Sequence, residues 1–197
     1  MQTPLPRSLV LASSSPHRRQ VLAKLGLPFE TAVPHVDEST LAGETPERLA
    51  LRLGLQKAQA LQEQFPDALI IGSDQVALLN GRQLCKPGGA DAAFEQLRRA
   101  SGQCAEFLTS ICVLDTASGQ SRHDLDRTRV YFRRLDDALI RRYVEREQPY
   151  DCAGSFKSEG LGIALFQRLE TEDPNALVGL PLIRLVRILE QFEVSVL

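Results

Sequence analysis

The stretch SLVLASSSPHRRQVLAKLG, residues 8–26, decides the fold class. Ser8 to Ala12 is a compact apolar run. Ser13, Ser14 and Ser15 follow, and Pro16 then stands where a serine N-cap places proline at the first helical position. Val21, Leu22 and Leu25 share one helical face, and Gly26 stops the helix. The segment therefore reads strand, loop, helix, the opening unit of an α/β chain. Two arginines, Arg18 and Arg19, fall in the first helical turn, where the backbone dipole presents positive charge. An anion would resolve that conflict: serine hydroxyls, open backbone N–H groups and two guanidiniums make a phosphate cradle. The same residues also fit a capped helix with solvated arginines.

Outward from this segment, Phe29 to Val33 reads as a short strand and residues 34–43 as a polar loop carrying Asp37 and Glu38. Thr45-Pro46 opens a long helix with Leu49, Leu53, Gln56 and Ala60 inward and Arg52, Gln59 and Glu63 outward. Ala68 to Ile71 is a buried strand leading into Gly72-Ser73-Asp74. Gln75 to Leu79 resumes the β pattern up to the hairpin dipeptide Asn80-Gly81, so Asp74 interrupts a strand or marks its bulge. Asp91 to Arg99 predicts a helix, and Glu106 to Leu114 and Thr128 to Phe132 predict long antiparallel neighbours. Asp136 to Glu147 predicts another helix, Gly160 to Phe166 a glycine-rich strand, and Pro181 to Phe192 a closing amphipathic helix.

The 197 residues, 43% hydrophobic and 24% charged, describe an ordinary globular chain rather than a disordered or fibrous one. A net charge of -2 gives no global attraction to a nucleic acid polymer, so an anionic ligand must be met by a local cluster. Cys85, Cys104, Cys112 and Cys152 form no C-x-x-C pair, which points to free thiols in a reducing cytoplasm. No window approaches the ~20 apolar residues of a membrane helix. A P-loop and a G-x-G-x-x-G turn are both absent.

Several residues carry candidate chemistry. Asp74, at the end of an apolar strand, suits a hard divalent metal or the general base for a water attacking phosphorus; it also suits a loop cap. Glu38 is the natural second carboxylate. Lysine is scarce, and Lys57 and Lys86 are compact charges able to neutralise phosphate oxygens or to snorkel at the surface. The loop AGSFKSEG, residues 153–160, holds an aromatic, a cation and a carboxylate between glycines. Such a loop can approach a planar ring, and Glu159 can accept from two adjacent N–H donors such as guanine offers. A plain turn is the other reading.

In order along the chain stand LASSSPHRR, VDE at 36–38, LRLGLQKA ending at Lys57-Ala58, IIGSDQV around Asp74, Lys86-Pro87, Ser101-Gly102 with Thr109, and VGLP at 178–181. With these motifs the chain resembles, nearly end to end, the Maf family of nucleoside triphosphate pyrophosphatases. GSDQV and CAGSFKSEG make it most similar to the branch acting on 7-methyl-GTP, the YceF type. The resemblance implies one domain over 1–197 with two lobes. Its fold would be α/β, an extended mixed, largely antiparallel sheet with flanking helices and a cleft between the lobes, like that of inosine triphosphatases.

The implied reaction is hydrolysis between the α and β phosphates to monophosphate and pyrophosphate, clearing modified nucleotides. Asp74 would be the base and Glu38 its partner on a Mg2+ or Mn2+ ion. Ser13, Ser15, Arg18, Arg19, Lys57 and Lys86 would grip phosphate, and His17, Gln75 and Glu159 would select the base. A carboxylate at 159 would offset the charge of N7-methylguanine. His17 departs from the arginine of the general motif and the tryptophan of this branch. The implied partner is a nucleoside triphosphate, without nucleic acid or membrane, and a homodimer is compatible. The alternatives are a pyrophosphatase for dTTP, UTP or another nucleotide, including an inosine triphosphate type enzyme, and a non-catalytic nucleotide-binding regulator of cell division.

Overall fold

A computed structural model describes residues 7–197. The chain divides into two compact units. The first comprises the described chain through Gln75 with Thr109–Asp126 and Asp173–Leu197; the second comprises Val76–Leu108 and Arg127–Glu172.

Among the described residues the strands form one mixed sheet. β1 (Ser8–Ala12) pairs in parallel with β2 (Glu30–Ala32) and with β3 (Ala68–Gly72), Leu11 lying opposite Ile71. β3 runs antiparallel to the long β6 (Cys104–Asp115), with Gly72 opposite Cys112. β4 (Gln75–Leu79) also pairs with β6 and turns at Asn80-Gly81 into β5 (Arg82–Leu84). Both turn residues have positive φ, 52° and 75°, as a two-residue hairpin requires. β7 (Ser121–Phe132) pairs with β6 and with β8 (Phe166–Glu170), and it starts seven residues earlier than its apolar run predicts. Its first half alternates charged residues, Arg122, Asp124 and Asp126, whose polarity hides the strand from a hydrophobicity reading. Arg184 answers two of them, donating to Asp124 and Asp126.

In the first unit, alternation along β1, β3 and β6 separates two cores. Leu9, Leu11, Leu69, Ile71, Ile111 and Val113 pack under α1 (Pro16–Ala23) and α5 (Leu182–Gln191). Val10, Ala12, Ile70, Cys112 and Leu114 face the side of α2 (Pro46–Gln59), with Ala58 and Leu61. Burial on both faces is why these strands read as unbroken apolar runs. In the second unit, α3 (Ala90–Ala100) packs on α4 (Asp137–Glu147), which Asp136 caps by accepting from Leu139 N at 2.8 Å.

The predicted strand over Gly160 to Phe166 is instead a 3₁₀ turn, Leu161–Leu165, and β8 begins only at Phe166. The cause is local: Gly160 N and Gly162 N both donate to Lys157 O, curling the chain so tightly that a Cβ at 162 would lie 2.3 Å from that oxygen. All four cysteines are free, and burial pushes the Cys112 thiol up to about 12. No helix among the described residues is long and apolar enough to cross a membrane.

Candidate active site

The site begins with two glycines. At Gly72, the last residue of β3, a Cβ would lie 2.1 Å from Gly54 O of α2, and a Cβ at Gly54 would lie 2.5 Å from Ser110 Oγ. Helix and strand thus meet backbone to backbone. Lys57, one turn beyond Gly54, shares its helix face. Asp74, two residues beyond Gly72, is the point it reaches: Lys57 Nζ lies 2.6 Å from Asp74 Oδ1 and 2.7 Å from Glu38 Oε1. Lys57 and Asp74 are buried, whereas the Glu38 side chain is 60% exposed.

The turn carrying Asp74 is gripped by β6. Asp74 N donates to Ser110 Oγ at 3.0 Å and Ser110 N donates to Asp74 O at 2.8 Å. The aspartate therefore interrupts β3–β4, as the sequence pattern suggests, and its side chain rather than its backbone remains for chemistry. With Oδ1 on Lys57, the second oxygen is left as an acceptor.

The N-terminus of α1 supplies the complementary donors. Ser13 and Ser73 each follow the C-terminal end of one of the parallel neighbours β1 and β3. Ser13 Oγ accepts from Ser15 N at 3.1 Å, and Ser15 Oγ caps the helix by accepting from Arg18 N at 3.3 Å. Both hydroxyls are thus occupied as acceptors and keep their O–H protons to donate. Arg18 Nε donates to Gly179 O at 2.8 Å. Burial pulls the guanidinium below its ordinary value, and the charges of Asp74 and Glu38 oppose that pull. Of the two arginines expected to grip phosphate, Arg18 is half-buried and Arg19 lies exposed on α1. His17 is half-buried in the first turn.

Gln75, expected to contact the base, is held through its side-chain amide. Its amide nitrogen donates toward Thr109 Oγ1, Ala176 O and Leu177 O at 2.9–3.2 Å, all within the first unit. In the second unit, Lys86 is exposed after β5, on a segment held at Cys85 O by Gln96 Nε2 and at Gly88 N by Tyr150 O. The same Gln96 accepts from Ser155 Oγ at 2.8 Å, so one amide ties the Lys86 segment to the AGSFKSEG loop. In that loop Phe156 is buried in an edge-to-face cluster with Phe107, Phe132 and Phe166, centroids 4.8–5.7 Å apart. Lys157 is bound to Glu147 O and the Tyr143 hydroxyl. Of the loop's three candidate groups only Glu159 is exposed.

The family described as Maf-like protein matches residues 8–192. The chain belongs to the Maf family. Its relatives include a protein of Cupriavidus pinatubonensis, 58% identical over 96% of this chain and 94% of the relative. Another, of Pseudomonas aeruginosa, is 54% identical over 92% and 94%. Each bears the name 7-methyl-GTP pyrophosphatase. Among solved structures the Staphylococcus aureus Ham1 protein is similar at a TM-score of 0.54 and 14% identity, over 95% of this chain and 100% of that one, which supports the fold alone.

Within the LRLGLQKA motif the structure gives a part to Arg52, which helical spacing places outward. It is instead a tether: Nε and Nη2 take the two oxygens of Glu44 at 2.6 and 2.8 Å, Nη2 also reaches Ser39 O, and Nη1 reaches Gln56 Oε1. The Arg52 hydrogen bonds hold the Glu44 carboxyl down at about 2. Arg52 thereby fixes the loop on the C-terminal side of Glu38, at Ser39 and at Glu44. Ala60, expected inward, is exposed beyond the end of α2. The one sequence signal that could have exposed the tether was the Glu44–Arg52 spacing across the helix cap, which no helix rule weighs.

Proposed function

We propose that this Maf-family chain is a hydrolase that cleaves the α–β phosphoanhydride of 7-methyl-GTP to 7-methyl-GMP and pyrophosphate. The observation that carries this reading is the Lys57 ammonium held within 2.7 Å of both Asp74 and Glu38 beside the Arg18 guanidinium. A buried cation between two carboxylates, next to a helix N-terminus with unspent hydroxyl donors, suits a polyanion and an attacking water together. The name borne by relatives 54–58% identical over nearly the whole chain supports the substrate.

Asp74 accepts a proton from water on the oxygen that Lys57 leaves open. The water oxygen bonds to the α-phosphorus as the bond to the bridging oxygen breaks, and pyrophosphate departs with that bond's electrons. Ser13, Ser15, Arg18 and Lys57 hold the phosphate oxygens and offset the charge that gathers on them. Lys86, in the Lys86-Pro87 motif, is a further candidate for phosphate binding. Glu159 reads the base by accepting from its N1–H and N2–H, and His17 lies at the position where the family motif places a base-proximal side chain.

A divalent ion is tested by its donor set. Among the described residues no group of three or more His, Cys, Asp or Glu side chains could hold a metal. Mg2+, however, is commonly bound by one or two carboxylates together with substrate phosphates and water. Asp74 and Glu38 fit that mode for Mg2+ or Mn2+, and the ion would supply charge neutralisation at the phosphates.

The deciding experiment incubates the protein and Asp74→Asn with 7-methyl-GTP, GTP, ITP, dTTP and UTP in Mg2+ and measures released pyrophosphate. The expected result is preferred hydrolysis of 7-methyl-GTP, reduced roughly 10²- to 10⁴-fold by the substitution. Intact nucleotide in every reaction refutes the enzyme reading and leaves a nucleotide binder; near-normal turnover by Asp74→Asn refutes the assignment of the base.

A further inference from the structure

Residues 173–180 bear none of the candidate site side chains, yet their backbone carbonyls meet four side chains around the site. The strap is fixed by Asp173, fully buried, which accepts from Asn175 N at 2.8 Å, Asn175 Nδ2 at 3.0 Å and Ile183 N at 2.6 Å. Lys24 Nζ ties it to α1 through Asn175 Oδ1 at 2.7 Å. So anchored, Ala176 O accepts from Thr109 and Gln75, Gly179 O accepts from Arg18 Nε at 2.8 Å, and Ser73 Oγ shares its one O–H between Gly179 O at 2.8 Å and Ser110 O at 2.7 Å. Gly179 has φ +112°, and a Cβ there would lie 3.1 Å from Arg18 Nε and 3.7 Å from Nη2.

We propose that Gly179 is a positioning residue for the phosphate grip. Its carbonyl takes the Nε–H of Arg18 and so turns the planar guanidinium, leaving the Nη1 and Nη2 edge for an anion. Through Ser73 the same oxygen registers that edge against the turn bearing Asp74. The reasoning is geometric: a guanidinium has five donors in one rigid plane, so fixing Nε fixes where the others point. Orientation settled before the ligand arrives is not lost as side-chain freedom on binding. Glycine is required twice, by its φ and by the guanidinium occupying the place of a side chain. Gln75 acts in the same device, its amide bracing the strap at Ala176 and Leu177. The proposal rests on the phosphate-hydrolysis reading given above.

The test compares the wild type, Gly179→Ala, Arg18→Ala and the double variant as full chains. Three quantities are measured: the Arg18 Nε–H resonance, tripolyphosphate affinity by calorimetry, and kcat/KM for 7-methyl-GTP. In the wild type the Nε–H exchanges slowly, and Gly179→Ala abolishes that protection. The same substitution lowers kcat/KM roughly 10²-fold, as an ångström-scale misplacement does, and weakens tripolyphosphate binding. In the Arg18→Ala background it has no further effect on either. Losses that multiply in the double variant, or a Gly179→Ala protein with wild-type affinity and Nε–H protection, overturn the proposal. Should circular dichroism show Gly179→Ala unfolded, Ser73→Ala replaces it, removing one of the two donors to the same oxygen with the same dependence on Arg18. A wild type that hydrolyses nothing refutes the functional reading, while the resonance still decides whether Gly179 holds Arg18.

Discussion

Replacing Lys57 by methionine keeps a buried four-atom stem and removes only the charge that joins Asp74 to Glu38. The two halves of that bridge differ in weight. Asp74 and Lys57 have side chains 11% and 9% exposed, so the substitution strands a carboxylate away from water, a change that usually costs about 3–5 kcal/mol. Glu38, 60% exposed, is hydrated with or without its partner, and its half contributes at most about 1 kcal/mol. Arg18 remains near both carboxylates and offsets part of the loss, which places the expected destabilisation at the lower end, about 3 kcal/mol. For a chain of this length that is a fall of roughly 6–12 °C in Tm. Thermal unfolding followed by circular dichroism measures it. The decisive comparison is Lys57→Met with Asp74→Asn added: the second change removes the stranded charge, so the double variant melts above Lys57→Met alone. A Lys57→Met protein within about 2 °C of the wild type, or a double variant whose losses simply add, refutes the claim that this ion pair is buried and mutually dependent.

Two further outcomes follow from the surrounding residues. Glu159→Gln exchanges a carboxylate that accepts two N–H bonds for an amide that accepts one, so kcat/KM for 7-methyl-GTP should fall about tenfold or more relative to UTP in a competition assay; an unchanged ratio removes Glu159 from base selection. Glu44 has its carboxyl depressed from the ordinary 4.5 to about 2 by Arg52, so its contribution to stability is present above about pH 4.5 and is lost as pH falls through about 2. Urea midpoints of the wild type and Glu44→Gln should therefore differ at neutral pH and converge across that window, and a constant gap would show that the Arg52 tether is not ionic.

The sequence made the sheet and its helices legible because their signals are local. Ser15-Pro16, Thr45-Pro46, Asn80-Gly81 and the runs at residues 8–12 and 68–71 each fix an element through backbone preference or burial on both faces. Legibility failed where tertiary partners decide. β7 begins in residues whose charges are answered by Arg184, 58 and 60 positions away. The curl after Lys157 depends on two glycine N–H groups sharing one oxygen, where the residue pattern alone predicts a strand. In the 153–160 loop, which fits either a ring-approaching loop or a plain turn by its residues, Phe156 is used by the core and Lys157 by α4.

A deeper asymmetry governs the site itself. Charged and hydroxyl side chains announce themselves in a motif, so Ser13, Arg18, Glu38, Lys57 and Asp74 could be named from their types and spacing. What aims them does not announce itself, because the aiming atoms are largely main-chain: Gly179 O for Arg18, Ser110 N for the Asp74 turn, Cys85 O for the segment bearing Lys86. A carbonyl is present at every residue and carries no letter. Its only trace in the sequence is a residue whose side chain had to be absent, as at Gly54, Gly72 and Gly179, where a Cβ would lie 2.5, 2.1 and 3.1 Å from its nearest neighbour. In this chain, the glycines at 54, 72 and 179 mark where backbone is pressed close around the candidate site.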